Sequence, residues 1–217
     1  MAEKNVDAQK CSIALMEPRD ALELGRMYRT EIPWAIFSIM GDRFTARFIE
    51  WIHQQENSRV WVAKNETGQI LGISAGTLDK PRIYRKIVRE HWPTLVRSVL
   101  LNLYRPAVLR WLWRAVWEKV RPVPEVWRSA PRPAAEWLLL TVVEKARGTG
   151  LAARLRERME ADFREWGLQG PYMMLPLATN QASLAFLKKQ GGRLVAEVST
   201  RGHVIHELHK ELPLDGT

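Results

Sequence analysis

The sequence predicts a mixed α/β fold, with a central sheet flanked by helices. Three observations support this prediction. Apolar runs typical of strands alternate with segments of helical spacing, a glycine-containing turn joins a buried run to a helix, and a basic helical segment separates two groups of strands. The predicted order is β-α-α-β-β, an insertion, and then β-α-β-α-β-β, so the insertion lies between the third and fourth strands.

The first half of the chain is predicted to contain three strands and two helices. After the first strand, Pro18 opens a helix, because proline fits the first helical turn. Residues 34–40 are apolar and irregular, and Asp42 is expected to cap the second helix. Two β-rich runs, 60–63 and 70–76, flank a turn and predict a hairpin.

The second half is predicted to begin and end with strands. A strand, a helix, a strand, a helix and two further strands are expected at 136–143, 150–166, 172–177, 183–190, 193–199 and 203–212. Within the third of these segments, Pro176 should disturb a regular ladder. The whole chain, 1–217, is interpreted as one domain, since a chain of this length can bury a substantial core.

Composition excludes some classes of site. Cys11 is the only cysteine, so an intrachain disulfide and a cysteine-based metal site are excluded, and a cytoplasmic location is expected. The polar amino terminus shows no apolar stretch typical of a secretory signal. His203, His206 and His209 alternate between the two faces of the last predicted strand, so we expect no metal site there.

A glycine-containing turn follows the fourth predicted strand. The strand runs through Val142 to Gly148 and Gly150, and a helix begins immediately afterwards. The first backbone N–H groups of a helix lack internal partners and its dipole favours negative charge, so the turn suits a pyrophosphate. A tight strand-to-helix turn that binds nothing has the same spacing, so the pattern alone leaves both interpretations open.

The residues around this turn resemble a known family. Arg147-x-x-Gly150-x-Ala152 is similar to the acetyl-CoA-binding motif of the GNAT N-acetyltransferases, Arg/Gln-x-x-Gly-x-Gly/Ala. The helix containing Asn180 and Ser183 is similar to a second pattern of that family. The resemblance implies the GNAT fold, acetyl-CoA as the acetyl donor and transfer to a primary amine. It implies a cofactor site formed by Leu140, Thr141, Val142, Arg147, Gly148, Thr149, Gly150, Leu151, Ala152, Asn180 and Ser183.

Two positions bear on how the reaction would be catalysed. One departs from the family pattern, and the other is the candidate general base. Leu187 stands where the family usually has a tyrosine that protonates the leaving thiolate. Glu136 lies eleven residues before Arg147, the spacing of the general base in the histone-acetylating branch. By strand periodicity, Glu136 should share a face with Leu138, Leu140 and Val142, and apolar neighbours should raise its pKa. A solvated strand end remains the alternative for this glutamate.

The sequence gives less information about the residues that would bind the amine acceptor. In the family, the segment containing Tyr28, Glu31 and Trp34 often lines the acceptor pocket. A basic insertion at this place in the chain also resembles acetyltransferases found with bacterial surface-polysaccharide genes, which implies an amino-sugar acceptor. The alternative function is a catalytically degenerate acyl-CoA-binding domain that acts as a membrane-associated scaffold or sensor.

The predicted insertion spans residues 80–133, of which 122–133 form a proline-rich linker. Residues 80–132 hold 13 Lys and Arg and 3 acidic residues, a net charge of +10, whereas the remainder of the chain carries −1. Arginines interrupt every apolar run, which excludes a membrane span. Three interpretations remain for 80–121: a cap over the acceptor site, peripheral contact with an anionic membrane at its inner face, and the least favoured, nucleic-acid binding.

Overall fold

The computed structural model describes residues 11–33, 35–120, 132–200 and 203–212. The strands in these ranges are β1 (Ser12–Leu15), β2 (Ser58–Lys64), β3 (Ile70–Thr77), β4 (Glu136–Val142), β5 (Pro171–Met174), β6 (Arg193–Thr200) and β7 (His203–Glu211). The α-helices are α1 (Ala21–Glu31), α2 (Ile36–Met40), α3 (Asp42–His53), α4 (Lys80–Asn102), α5 (Pro106–Val120), α6 (Leu151–Glu165) and α7 (Gln181–Lys189).

The strands form one mixed sheet. Their order is β1-β2-β3-β4-β5-β7-β6. Strands β4 and β5 run parallel, and the other neighbours are antiparallel. Helices α4 and α5 lie in the chain between β3 and β4. The predicted mixed α/β architecture, with its helical insertion after the third strand, is therefore confirmed.

Hydrophobic packing covers both faces of the sheet. On one face, Leu24 of α1 and Phe48 of α3 pack in one cluster with Ile73 of β3. On the other face, Phe163 of α6 packs in a second cluster with Trp137 of β4. Burial of these large apolar side chains is the main force that holds the helices to the sheet.

Two local predictions in the first half were wrong. Residues 34–40 are not irregular throughout, because α2 occupies part of this segment. Asp42 does not cap the following helix. Gly41, with a φ of 100°, is the N-cap, and Asp42 is the first helical residue. The Asp42 carboxylate instead accepts a hydrogen bond from Nη1 of Arg29 at 3.0 Å, which ties α3 to α1.

The insertion contains fewer breaks than its prolines suggest. Helix α4 continues through Pro93, although proline removes one backbone donor. Tertiary packing offsets this loss on both sides of the proline, because Ile87 is buried in the core and Leu95 packs against the same cluster. Pro106 does begin a new helix. Residues 121–131, most of the predicted linker, lie outside the described part of the chain.

The fifth strand is shorter than predicted. Strand β5 ends at Met174, and only an isolated bridge between Leu177 and Ile205 follows it. Pro176, which cannot donate to a ladder, lies in the intervening segment. The early end of β5 shapes the site described below.

Gly25 marks the closest approach of α1 to α3. A Cβ atom there would lie 2.6 Å from the backbone oxygen of Asp42 and 2.9 Å from the backbone nitrogen of Ala46. We therefore expect Gly25→Ala to lower the free energy of unfolding by about 1–3 kcal/mol, measured by urea denaturation. Without this contact, alanine would raise helix stability by about 1 kcal/mol.

The matched control is Arg47→Ala, which places alanine on the exposed surface of α3. We expect its unfolding midpoint to stay close to that of the unchanged protein. A Gly25→Ala variant as stable as this control would contradict the close helix contact.

Candidate functional site

The separation of β4 from β5 creates the candidate site. These parallel strands are paired only at Glu136 with Met173 and Trp137 with Met174. Beyond these pairs β4 continues to Val142 while β5 has ended, so the sheet opens between them. The opening lies toward the carboxyl ends of the parallel pair, where α/β sheets commonly bind ligands.

A cavity of about 1230 Å³ occupies this opening. Its walls come from β4, from the segment after β5, from the start of α6, and from α1, α2, α4, α5 and α7. The lining includes most of the predicted site residues, namely Tyr28, Glu136, Leu140, Thr141, Val142, Arg147, Gly148, Gly150, Leu151, Ala152, Asn180 and Ser183. The opening therefore brings the predicted cofactor and catalytic residues to one space.

The turn before α6 has the backbone geometry of an anion-binding loop. Gly148 and Gly150 have backbone φ values of 81° and 83°, which residues other than glycine rarely adopt. A Cβ atom at either position would meet no protein atom within 4 Å, so the space in front of the loop is open. The first helical hydrogen bond runs from the nitrogen of Ala153 to the oxygen of Gly150, which leaves the preceding N–H groups of α6 for a ligand.

Side chains of the loop hold its shape. Nε of Arg147 donates to the backbone oxygen of Val142 at 3.1 Å, across the turn. The hydroxyl of Thr149 donates to the backbone oxygen of Ala146 at 2.7 Å. These bonds fix the loop before any ligand arrives, which reduces the entropy cost of binding.

An irregularity in β4 changes the direction of its side chains. Gly76 of β3 lies opposite Trp137 of β4. The next residue of β3, Ala75, lies opposite Leu139, so Leu138 is one extra residue on β4. Such a bulge reverses the alternation of side chains along the strand.

Because of this bulge, Glu136 does not have the neighbours that the sequence predicts. Glu136 shares a face with Leu139 and Thr141, the face on which α1 and α3 pack. The prediction that it shares a face with Leu140 and Val142 was wrong, because strict periodicity does not hold across a bulge. Glu136 therefore points to the side of the cavity that faces the amino-terminal helices and the insertion.

Glu136 is a buried carboxylate held by a lysine from the insertion. Its side chain is 4% exposed, which rules out the alternative of a solvated strand end. Nζ of Lys80 donates to both carboxylate oxygens, at 2.6 Å and 2.8 Å. Burial raises the pKa of Glu136 above its ordinary value, and the neighbouring Lys80 ammonium opposes this rise. The predicted direction of the shift is confirmed.

Aromatic residues line the side of the cavity next to this pair. Burial raises the pKa of Tyr28 to about 12 and raises that of Tyr84 still further, so both phenols stay protonated at neutral pH. Tyr84 also packs edge-on against Phe48, with ring centroids 5.7 Å apart. Trp34 and the side chain of Glu31, both predicted to line the acceptor pocket, lie outside the described part of the structure.

The helix after β5 contributes a capped amino terminus and an apolar wall. The backbone N–H of Ser183 donates to Oδ1 of Asn180 at 3.0 Å, so Asn180 is the N-cap of α7. Leu187 is buried and lines the cavity. It cannot donate a proton, so this wall supplies no acid at that position.

The histidines of β7 pair with carboxylates near the sheet edge. His206 lies 3.1 Å from Glu197, and His209 lies 2.8 Å from Glu207. Within the described ranges, no group of three or more His, Cys, Asp or Glu side chains is arranged to hold a metal ion.

Sequence reasoning missed the cavity residues that the insertion supplies. Lys80, Tyr84, Arg110, Trp111 and Arg114 all line the cavity. Lys80 and Glu136 are separated by 56 residues, and local patterns carry no signal for such a contact. The only available signal was the position of the insertion next to the fourth strand, together with its basic and aromatic composition.

Removing Lys80 tests its hold on the buried carboxylate. We expect Lys80→Met to lower the free energy of unfolding by about 2–3 kcal/mol above neutral pH. This is less than the about 3–5 kcal/mol typical of breaking a buried ion pair, because the Lys80 side chain is 31% exposed. The measurement is urea denaturation over a range of pH.

The pH dependence of this loss has a defined sign. The folded protein holds the Glu136 proton more tightly than the unfolded chain does. In Lys80→Met, the unpaired carboxyl therefore lowers the free energy of unfolding least at acid pH, where it is protonated and neutral. The loss should therefore grow as pH rises from about 4.3, the ordinary glutamate pKa, through the folded pKa. The double variant Lys80→Met/Glu136→Gln is the control and should recover most of the stability. A loss independent of pH would contradict an ionic role for Lys80.

Comparison by sequence identifies no relatives of the chain. No protein-family model matches it, and no curated protein matches it.

Comparison of structures shows the fold. A GCN5-related N-acetyltransferase from Kribbella flavida superposes with a TM-score of 0.60 at 16% identity, over 94% of this chain and 99% of that one. An acetyltransferase of the GNAT family from Streptococcus pneumoniae gives 0.55 at 14%, over 94% and 99%. The yncA protein of Salmonella typhimurium, solved with its cofactor acetyl-CoA, gives 0.55 at 15%, over 96% and 97%. The chain therefore has the mixed α/β fold of the GNAT acetyltransferases.

Proposed function

We propose that the protein is an N-acetyltransferase, which moves an acetyl group from acetyl-CoA to a primary amine. The observation that supports this proposal most is the arrangement around the opening between β4 and β5. There, the glycine loop of α6 and the buried carboxylate of Glu136 line one continuous cavity. The fold shared with acetyltransferases, one of them solved with acetyl-CoA, agrees with this arrangement.

The chain offers acetyl-CoA both an anion site and a free strand edge. The backbone N–H of Arg147 donates to the backbone oxygen of Glu144, so the N–H groups of residues 148–152 hold the pyrophosphate, aided by the helix dipole of α6. Beyond Trp137, the edge of β4 that faces β5 has no pairing with β5. The pantetheine amides pair with this edge near Leu140 and Val142, as an added strand would. Asn180 and Ser183 border the same cavity from α7.

Glu136 acts as the general base of the reaction. The acceptor arrives as an ammonium and must lose a proton before its nitrogen attacks the thioester carbonyl. The Glu136 carboxylate accepts this proton, directly or through one water, and its raised pKa brings it closer to the range useful at neutral pH. The carbon–nitrogen bond forms, the carbon–sulfur bond breaks and the thiolate leaves.

The leaving thiolate takes its proton from water. Leu187 borders the cavity where an acidic side chain would otherwise act, and it has no proton to donate. A thiol with a pKa near about 8.5 is a moderate leaving group, so an enzymatic acid assists the step without being essential.

The acceptor lies against the insertion and the amino-terminal helices. Tyr28 and Tyr84 present phenols there, while Arg110 and Trp111 of α5 face the same cavity. Stacking on aromatic faces together with polar hydrogen bonds suits an amino sugar, which we propose as the acceptor class to test first.

Straining the glycine loop should weaken acetyl-CoA binding. We expect Gly148→Ala/Gly150→Ala to raise the Kd for acetyl-CoA about tenfold or more, because the loop must leave its left-handed conformation and loses charged hydrogen bonds to phosphate. Isothermal titration calorimetry measures this change. The matched control is Gly68→Ala, which has the same φ of 81° and equally open surroundings, in the β2–β3 turn. If both variants bound acetyl-CoA equally well, the loop would not be the phosphate site.

Removing the base should slow turnover and spare cofactor binding. We expect Glu136→Gln to lower kcat about 100-fold, with little change in the Kd for acetyl-CoA, because proton abstraction is lost while the amide oxygen still accepts from Lys80. Glu157→Gln, on the exposed surface of α6, is the control and should leave kcat unchanged. Unchanged turnover in Glu136→Gln would remove this residue from the mechanism.

The turnover assay requires an acceptor, which a panel of amines supplies. Release of free CoA is followed with amino sugars, polyamines, aminoglycosides and peptides as acceptors. An acetyltransferase releases CoA with at least one class of amine. A binding protein without activity holds acetyl-CoA and releases none, and this outcome would favour the alternative of a degenerate acyl-CoA-binding domain.

A further inference from the structure

Exposed apolar side chains are concentrated on the insertion. Among the described residues, thirteen large hydrophobic side chains are exposed, and eight of them lie between residues 88 and 113. They are Val88, Trp92, Val96, Leu100, Leu101, Tyr104, Leu109 and Trp113. Single exposed hydrophobic residues are ordinary on protein surfaces, but such a group in one short segment marks a contact surface.

Four of these residues form a stripe along α4. Val88, Trp92, Val96 and Leu100 follow one another at intervals of four, which places them on one side of a helix. At 1.5 Å per residue the stripe is about 18 Å long. The core contact of α4 is made by other residues, Ile83 and Ile87, which are buried. The stripe is therefore a second apolar face, and it is exposed in the described part of the chain.

Basic side chains lie beside this stripe. Arg82, Arg85, Lys86 and Arg89 line one shallow depression on the amino-terminal half of α4. No acidic residue occurs between Lys80 and Arg89, and Glu90 is the only one in α4. The contact surface thus combines aliphatic side chains, an exposed tryptophan and a cluster of positive charge.

We propose that this face of α4 docks on the surface of an anionic lipid bilayer. Aliphatic side chains and tryptophan enter the boundary between headgroups and acyl chains, while arginines bind lipid phosphates, so each half of the surface has its own partner in the bilayer. The contact is peripheral, since no helix in the described ranges is long and apolar enough to cross a membrane. The inference is independent of the acetyl transfer proposed above.

Charge favours lipid over a second copy of the chain. Pairing two such faces would bring two clusters of arginine and lysine together, and like charges in contact are unfavourable. The aliphatic character of the stripe favours lipid over nucleic acid, which binds basic grooves through stacked aromatic side chains.

Sedimentation of the full-length protein with vesicles tests this proposal. The probes are vesicles of phosphatidylglycerol mixed with phosphatidylcholine, and vesicles of phosphatidylcholine alone. We expect binding to the anionic vesicles and little binding to the neutral ones. Trp92→Ser/Leu100→Ser should weaken this binding about tenfold or more, since two inserted side chains are lost. Arg85→Gln/Arg89→Gln should also weaken it about tenfold, with a smaller dependence on salt.

Two control variants change the same chemistry elsewhere. Leu22→Ser/Leu194→Ser removes exposed apolar side chains outside the insertion, and Arg43→Gln/Arg47→Gln removes exposed charge from α3. Both should bind anionic vesicles as the unchanged protein does. Circular dichroism confirms that each variant is folded.

Three results would overturn the proposal. The first is no binding of the unchanged protein to anionic vesicles. The second is equal weakening in the control variants, which would show that the α4 face has no special part in binding. The third is self-association in solution that Trp92→Ser/Leu100→Ser abolishes, which would assign the face to a second copy of the chain.

Discussion

The short pairing between β4 and β5 is the constraint on which the site depends. Two residue pairs hold these parallel strands together, and the sheet opens immediately beyond them. On its other edge, β5 pairs with β7 along its whole length, so the sheet stays continuous while it contains a cleft. Had β5 continued alongside β4 to Val142, strand hydrogen bonds would occupy the space that now forms the cavity. The end of β5 ahead of Pro176 is therefore what leaves room for the cavity.

The insertion is tied to this opening by an ion pair as well as by packing. Lys80 begins α4 and holds Glu136 at the first residue of β4. Arg105, between α4 and α5, donates to the backbone oxygen of Ile39 in α2 at 2.9 Å. Because both ends of α4 are attached to parts of the cavity wall, a displacement of the insertion would change both the charge environment of Glu136 and the shape of the cavity.

Local chemistry explains how much of this arrangement could be predicted. The loop from Arg147 to Ala152 was predictable, because glycine tolerance of positive φ and the free N–H groups of a helix start are properties of adjacent residues. The orientation of Glu136 was not, because the extra residue Leu138 is visible only in the pairing with β3. The contact with Lys80 was equally hidden, since it joins residues distant in sequence that only the complete fold brings together.

Helix α5 has one side on the cavity and another on the outer surface of the protein. Arg110 and Trp111 face the cavity, whereas Leu109 and Trp113 are exposed to the outside. A helix with its side chains is about 10 Å across, so an outer partner at α5 lies one helix diameter from the cavity wall. The apolar surface and the cavity wall are therefore carried by the same helix, so a substitution at Leu109 or Trp113 changes the outer surface and leaves the side chains that line the cavity in place.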